Sequence, residues 1–360
     1  MIDKRLMVPS MFGPKEVYTG KGASMVLKYI QASEFLLLSS GTVKGTEPYS
    51  KLLKHLEGKK VNEEVVKSAS EENVVEIAKR YSGSQVEVII AVGGGKVLDA
   101  SKAIRFLMDN PDKDLNALAG LFAFPVLKRK LVLIPTTPAT GSEASTNAVI
   151  FRGGVKTPYS NKDFLPDMAV LDCGFLQSIP PDKMHQFTAD IFGHGFEAYF
   201  SKMSNHFAKA NVDASLKLLL EAIQELKKSP ADSKALEKLQ ISGYLGGLAA
   251  GNAFVGACHA LAHAAENMNG RGHGELVLVL TRPCLEWLKE KTKYEEYARF
   301  INSYAATGLE QHIDPAAIKG LQDDQWAEMA LKDPSIKTSP VKMTKELVVE
   351  LIQHIRKVRG

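Results

Sequence analysis

Two stretches concentrate the side chains that could hold a cation. TADIFGHGFEAY carries Asp190 and His194, and GACHALAHAAENMNGRGHG carries His259, His263 and His273. Asp190 and His194 stand at i and i+4, as do His259 and His263. If each stretch is helical, both pairs project from a single face, because residues so spaced are surface neighbours. One carboxylate with three imidazoles (Asp190, His194, His259, His273) is a donor set suited to Fe(II), Zn(II) or a similar divalent ion. Such an ion with one position open is a Lewis acid. His263, one turn past His259, has an ordinary pKa near neutrality and is the candidate for orienting a substrate or relaying a proton. A packed helix histidine is the plainer reading of it. Glu197, three residues after His194, is either an acceptor behind a ligand or a helix-surface acid. His55, His185, His206, His312 and His354 have no partner at metal spacing and read as surface or structural residues.

A second kind of chemistry lies upstream. VIIAVGGGKVLDASKAI reads as strand, glycine turn and helix. Gly93, Gly94 and Gly95 let backbone N–H groups approach a phosphate with no Cβ in the way, and the helix offers its positive end. A tight turn with no ligand would look similar, and the spacing is not the GxGxxG of the Rossmann fingerprint. IPTTPATGSEAS follows another strand-like run. Its Thr136, Thr137, Thr140 and Ser142 could hydrogen-bond a ribose, adenine or phosphate, though a bland Ser/Thr loop has the same composition.

Two architectures must position these groups. EFLLLSS (34–40), VEVIIAV (86–92) and KLVLIP (130–135) are apolar runs of strand length bounded by Gly, Pro or Ser. Helical stretches such as SEENVVEIAKRY and KVLDASKAIRFLMDN lie between them, which predicts a parallel sheet covered on both faces. After Pro180-Pro181 the pattern turns to long helical periodicities, and GELVLVL reads as a buried helix. The expected organisation is an α/β domain over 1–175 and an all-α domain over 176–360. With 360 residues, 45% hydrophobic and 24% charged, the chain is an ordinary globular protein long enough for two domains. A net charge of +4 without a basic, aromatic-interleaved run makes nucleic acid an unexpected partner. Arg356, Lys357 and Arg359 read as a solvated helix end. The three cysteines (Cys173, Cys258, Cys284) form no CxxC pair, which points to a reducing compartment, with Cys258 a small buried thiol. No apolar run approaches the ~18 residues of a membrane span, and the N-terminus lacks a signal pattern. A cytoplasmic protein with no membrane partner is expected.

GGGKVLDASK, PTTPATGSE, TADIFGHGFEAY and HALAH followed by GHGE resemble, in order and spacing, the motifs of the iron-containing (group III) alcohol dehydrogenase family. The resemblance runs over most of the chain, and KMTKELVVELIQHI is similar to the family's closing helix. It implies a dinucleotide-binding α/β domain, a helical metal domain, and metal-dependent hydride transfer between NAD(P)(H) and a small alcohol or aldehyde. It carries the metal-ligand roles onto Asp190, His194, His259 and His273, and sets His263 beside nicotinamide and substrate. It puts Gly94, Gly95, Asp99, Thr136, Thr137 and Thr140 around the cofactor, with Ser142 in the same loop. Lys156, ten residues before Pro166, falls where the family has a cofactor-contacting lysine. Three positions depart from the pattern. Lys96, counted on the cofactor side, replaces the usual Ser and resembles glycerol dehydrogenases; Pro138 replaces a small loop residue; Cys173 replaces a Pro.

The choice of dinucleotide turns on the end of the first apolar strand. A carboxylate there accepts the ribose 2′-OH and repels a 2′-phosphate. LSSGTVKG has no acid from Ser39 to Gly45 and a base at Lys44. Gly41 and Thr42 match the turn of the family's NADPH-dependent butanol dehydrogenase branch, so NADP(H) is expected ahead of NAD(H). Fe2+ is expected ahead of Zn2+, and a homodimer or higher homo-oligomer is the default. The rival readings are polyol oxidation of the glycerol dehydrogenase type and a metal-dependent sugar-phosphate cyclase of the dehydroquinate synthase type. A metal-free maleylacetate-type reductase and a metal-stabilised binding protein are more distant.

Overall fold

The structure, a computed structural model, describes residues 9–118 and 127–359. Residues 1–8, which include the stretch read for a signal pattern, lie outside the described residues. The first half contains β1 (Glu16–Thr19), β2 (Glu34–Ser39), α1 (Glu47–His55), β3 (Lys60–Val65), α2 (Glu71–Tyr81), β4 (Val88–Gly93), α3 (Gly95–Asp109), β5 (Lys130–Pro135), β6 (Asn147–Arg152), β7 (Val155–Ser160) and β8 (Met168–Leu171). The second half is helical: α4 (Pro181–Phe200), α5 (His206–Lys228), α6 (Ser233–Ala253), α7 (Ala257–Asn269), α8 (His273–Thr292), α9 (Glu296–Thr307), α10 (Asp323–Lys332) and α11 (Lys345–Arg359). GELVLVL, strand-like in composition, lies within α8, as its place between His273 and CLEWLKE suggested.

Six strands form one parallel sheet in the order β1-β8-β5-β4-β2-β3. Every residue of β2 and β4 is buried, as a sheet covered on both faces requires. Alternate side chains serve opposite faces. Leu36, Leu38, Ile89, Ala91, Leu131 and Leu133 pack with α2 and α3, while Phe35, Leu37, Ile90, Val92 and Ile134 pack with Leu27, Tyr49 and Leu52. The edge strands are the ones that composition hides. β3 (KVNEEV) is polar and β1 is exposed at all four residues. A further hairpin pairs β6 with β7 through Gly153 and Gly154, whose φ values of 54° and 80° suit a two-residue primed turn.

Chain order fixes where a ligand belongs on this sheet. From β3, outside β2, the chain crosses to β4 on the other side of β2. Such a reversal leaves a crevice beyond the carboxyl ends of the strands, where open α/β sheets take their ligands. The ends of β2, β4 and β5 are neighbours there, with Ser39 opposite Val92 and Gly93 opposite Pro135.

The chain divides into two compact units, one of Phe12–Ile179 with Lys228–Tyr244, the other dominated by Pro180–Lys227 and Leu245–Gly360. The division differs from a single break at 175/176. The sheet unit runs on through the 3-10 turn Cys173–Ser178 and takes in the first half of α6, where Gln240 Nε2 donates to Pro135 O at 3.1 Å. The helical unit has its own core, with Trp287, Trp326, Tyr297, Tyr304, Phe192 and Phe196 fully buried. Its closing helix corrects one expectation. Arg359 is only 7% exposed and donates to Val279 O and Glu310, and Arg356 pairs with Asp323, so these cations are structural. Among the described residues no single helix is long and apolar enough to cross a membrane; only the pair α6 and α7, bent by 98°, reaches that apolarity by length and composition.

Candidate active site

Three helices of the helical unit bring the metal-type side chains together. Asp190 and His194 lie on α4, His259 and His263 on α7, and His273 is the first residue of α8. Small residues let the helices close in. A Cβ on Gly193 would stand 2.8 Å from Val277 and 3.1 Å from the His259 ring, and one on Gly274 would stand 2.9 Å from Gln186 O. The glycine between Asp190 and His194 thus admits the neighbouring imidazole.

Three Nε2 atoms converge on one oxygen, Asp190 Oδ1: His259 and His273 at 3.4 Å and His194 at 3.9 Å. Donors at about 2.1 Å from a tetrahedral ion stand roughly 3.4 Å from one another, so these separations suit a shared divalent cation. Asp190, His259 and His273 each offer a ligand atom within 4.8 Å of the others, and the His194 ring stacks on His259 at 4.8 Å. Asp190 Oδ1 and His259 Nε2 are buried without a hydrogen-bond partner. Leaving such groups bare costs stability, and a cation would satisfy both. The residues fit the ion that the donor set calls for.

Charge is arranged to the same end. Burial opposes ionisation of Asp190, yet the surrounding imidazoles hold it well below the usual carboxylate range. Burial lowers His194 to about 4. At His259 burial also acts downward, but the Asp190 and Glu197 carboxylates on either side override it and raise the ring to about 10. The pair of carboxylates therefore favours positive charge at this spot, whether carried by protons or by a metal ion. Glu197 is buried, which decides between the two readings of it: Oε2 lies 2.7 Å from His259 Nδ1, and Cys258 N and His259 N donate to the same carboxylate at 2.7 and 3.2 Å. As an acceptor it fixes the proton on Nδ1 and leaves Nε2 bare towards Asp190. It also puts negative charge at the positive end of α7.

His263 stands apart from that convergence. Its ring stacks on His273 at 5.0 Å, and Nδ1 lies 2.8 Å from Asp333 Oδ2. Asp333 was not visible as a site residue, being 70 positions away with no motif of its own. Of the remaining histidines, His185 and His312 stack on each other at 4.6 Å.

In the sheet unit the glycine turn and the threonine loop pack against one another. A Cβ on Gly95 would stand 3.0 Å from Thr140, and Gly94 faces Thr137 at 3.6 Å. Gly94 caps α3 without a side-chain bond, Lys96 follows exposed in the first turn, and Thr136 N donates to Gly93 O at 3.0 Å. Thr137 Oγ1 is buried without a partner. A backbone cradle at a helix N-terminus beside an orphaned hydroxyl fits a dinucleotide phosphate. Gly41 and Thr42 lie exposed just past β2, with Thr42 Oγ1 3.1 Å from Ser40 Oγ. Asp99 and Ser142 bond each other at 2.5 Å, and Asp99 also accepts from Val149 N at 3.0 Å. Their side chains tie the loop to α3 and β6. Lys156 on β7 sits over the Phe151 ring at 5.6 Å and adds to the positive potential on Asp99.

Two buried titratable side chains, one in this loop and one on α3, carried little signal of their burial in the sequence. Lys102 is fully buried and donates to Ser145 O and Asn147 O at 3.2 and 2.5 Å; burial lowers it to about 8. Glu143 is 3% exposed, and burial raises it to about 7 against the pull of Lys102. Lys102 follows Asp99 by one helical turn, the one clue to its inward direction. Strand pairing also brings an acid that the loop sequence lacks. Glu63 on β3 lies 3.2 Å from Lys44 Nζ and accepts from Tyr49 at 2.9 Å.

Two family profiles match long stretches of the chain. The profile of iron-containing alcohol dehydrogenases matches residues 14–173, and that of the C-terminal part of the Fe-containing alcohol dehydrogenase family matches residues 187–319. The NADPH-dependent butanol dehydrogenase of Clostridium saccharobutylicum is 27% identical, over 94% of this chain and 89% of that one. The solved iron-containing alcohol dehydrogenase of Thermococcus thioreducens is 25% identical with a TM-score of 0.85, covering 96% of this chain and 100% of that one. A solved 1,3-propanediol oxidoreductase shares the fold, with a TM-score of 0.86 at 20% identity over 97% of this chain and 100% of its own. With the two profiles together spanning most of its length, the chain belongs to the iron-containing alcohol dehydrogenase family.

Proposed function

We propose that this protein reduces a small aliphatic aldehyde, and oxidises the matching alcohol, with NADP(H) and an Fe2+ ion held by Asp190, His194, His259 and His273. Membership of the family makes it an NAD(P)-dependent, divalent-metal-dependent alcohol dehydrogenase. The observation that carries the ion's assignment is the convergence of three imidazole Nε2 atoms on a buried, unpartnered Asp190 oxygen. When bound, the ion supplies Lewis acidity towards an alcohol or aldehyde oxygen and the nicotinamide supplies or accepts the hydride.

The chain's own residues do the rest. Glu197 holds His259 in the tautomer that keeps Nε2 available. Gly94, Gly95 and the start of α3 bind the pyrophosphate through backbone N–H groups, and Thr137 offers its buried hydroxyl. Thr136, Thr140 and Lys156 are further contacts to the dinucleotide, Lys96 lends charge at the helix start, and Asp99 with Ser142 keeps the loop in shape. His263 moves the proton between the substrate oxygen and solvent, its side chain being 29% exposed. Gly41, Thr42 and Lys44 receive the 2′-phosphate. The acid-free turn and the likeness to an NADPH-dependent relative support that choice, while Glu63 beside Lys44 works against it. Three buried free cysteines support a cytoplasmic setting. Exposed Val17 and Tyr18 on the edge strand β1 support a homodimer or larger assembly. The deciding experiment compares kcat/KM for NADPH and NADH with a series of short aldehydes. NADPH is expected to be preferred; a strong NADH preference overturns the NADP(H) assignment and turns attention to Glu63.

A further inference from the structure

The carboxylate behind His263 has no role in the chemistry described so far. Asp333 closes α10 and opens the 3-10 turn Pro334–Thr338, where Oδ1 accepts from Ser335 N at 2.8 Å. Oδ2 is spent differently, lying 2.8 Å from His263 Nδ1. An ionised carboxylate only accepts, so Nδ1 must carry the proton and Nε2 must be the nitrogen with a free lone pair. The elements holding this contact are themselves fastened to α7 and its approach. Trp326 Nε1 on α10 donates to Leu261 O of α7 at 2.8 Å, and Thr338 Oγ1 donates to Val255 O. Asp333 is 16% exposed, enough shelter to keep the pair intact against water. On the far side, the stacked His273 ring at 5.0 Å limits rotation of the imidazole.

We propose that Asp333 is a positioning residue for the reaction, holding His263 in one tautomer and one orientation with Nε2 turned to the substrate. The proposal rests on the proton-moving role given to His263 above. Without the carboxylate, the ring is free to exchange tautomers and to turn, so the fraction of molecules with Nε2 ready falls. Partners of this kind, one bond removed from the reacting group, are worth about 10–100-fold in activity elsewhere.

The competing role is a structural one, the cap on the Pro334–Thr338 turn. Asp333→Ser separates the two, because serine caps such turns well but is too short to reach the imidazole. The test sets wild type, Asp333→Ser, His263→Ala and the double variant side by side. Each is loaded with the same metal and measured for metal content and aldehyde reduction. Asp333→Ser is expected to keep its metal and its KM for the dinucleotide and to lose about 10–100-fold in kcat. The double variant should be no slower than His263→Ala beyond about twofold, since residues acting as one unit do not add. Nitrogen NMR of ¹⁵N-histidine-labelled protein, assigned with His263→Ala, reads the tautomer directly and needs no turnover. It should report Nδ1–H in the wild type and a shift towards Nε2–H in Asp333→Ser. Multiplying losses in the double variant, or an unchanged tautomer, overturns the positioning role. Should Asp333→Ser not fold, Asp333→Asn is measured in the same way. A wild type that turns over no alcohol or aldehyde sinks the functional reading instead, and the NMR result alone then decides on the tautomer.

Discussion

At the scale of single residues, the five side chains of the two motif stretches fall into distinct environments. Asp190, His194, His259 and His273 share one point of convergence, while His263 is bonded outward to Asp333. That difference makes separable predictions. His259→Ala and His273→Ala should each abolish both metal retention and turnover, read by metal analysis of the purified protein alongside aldehyde reduction. His263→Ala should retain the metal and lose about 10²–10⁴ in kcat, the ordinary worth of a positioned proton-transfer group. Loss of the metal from that variant would show that the ligands had been misassigned. Glu197→Gln should weaken metal affinity by about 10–100-fold with the fold intact, measured by competition with a chelator. The i and i+4 spacings made the histidines legible in sequence, because helical periodicity converts directly into a shared face. Glu197 was ambiguous for the same reason, since spacing tells which face a residue occupies but not what lies opposite. Asp333 was illegible, for its partner is brought close only by the return of α10 onto α7.

Elements decide how accurately those residues meet. α4 approaches α7 and α8 through Gly193, where a methyl group would intrude on Val277 and the His259 ring. Gly193→Ala should therefore destabilise the fold by about 1–3 kcal/mol despite alanine's better helix propensity, and should weaken metal binding as well. Chemical denaturation and metal titration check both; a variant as stable and as metal-avid as wild type contradicts the close approach. In the sheet unit, Glu143 is held up to about 7 by burial, against an ordinary value of 4.5. Between those values the folded state binds more protons than the unfolded chain, so stability declines as pH rises through that window and the loss is complete above it. Glu143→Gln removes the ionising group. Its stability relative to wild type should climb from about pH 4.5 to 7 by up to ~3 kcal/mol and then level off. Melting curves across this range check it, and a flat difference is the adverse result. The strands buried on both faces were readable as apolar runs; polar β3, exposed β1 and the Gly153–Gly154 hairpin were not. Edge strands need no continuous apolar face, so periodicity has nothing to report there. The hairpin did carry a signal in its paired glycines.

For the whole molecule, the sequence separates a strand-and-helix half from a helical half, and the structure builds a parallel sheet unit and a helical unit from them. The exchange of Lys228–Tyr244 into the sheet unit was beyond sequence reading, because a long helix looks the same whichever core claims its ends. The sheet unit carries the glycine turn and threonine loop at its strand ends, and the helical unit carries a donor cluster on three helices. Hydride transfer is expected to require the cluster's ion. The direct test strips the protein of metal, then follows NADPH consumption with a short aliphatic aldehyde as Fe(II) or Zn(II) is returned, in wild type and in His259→Ala. Turnover should be absent from the stripped protein, return in proportion to the metal bound, and stay absent in His259→Ala. Full turnover by the stripped protein, or recovery in His259→Ala, would show that the ion at this cluster is not needed.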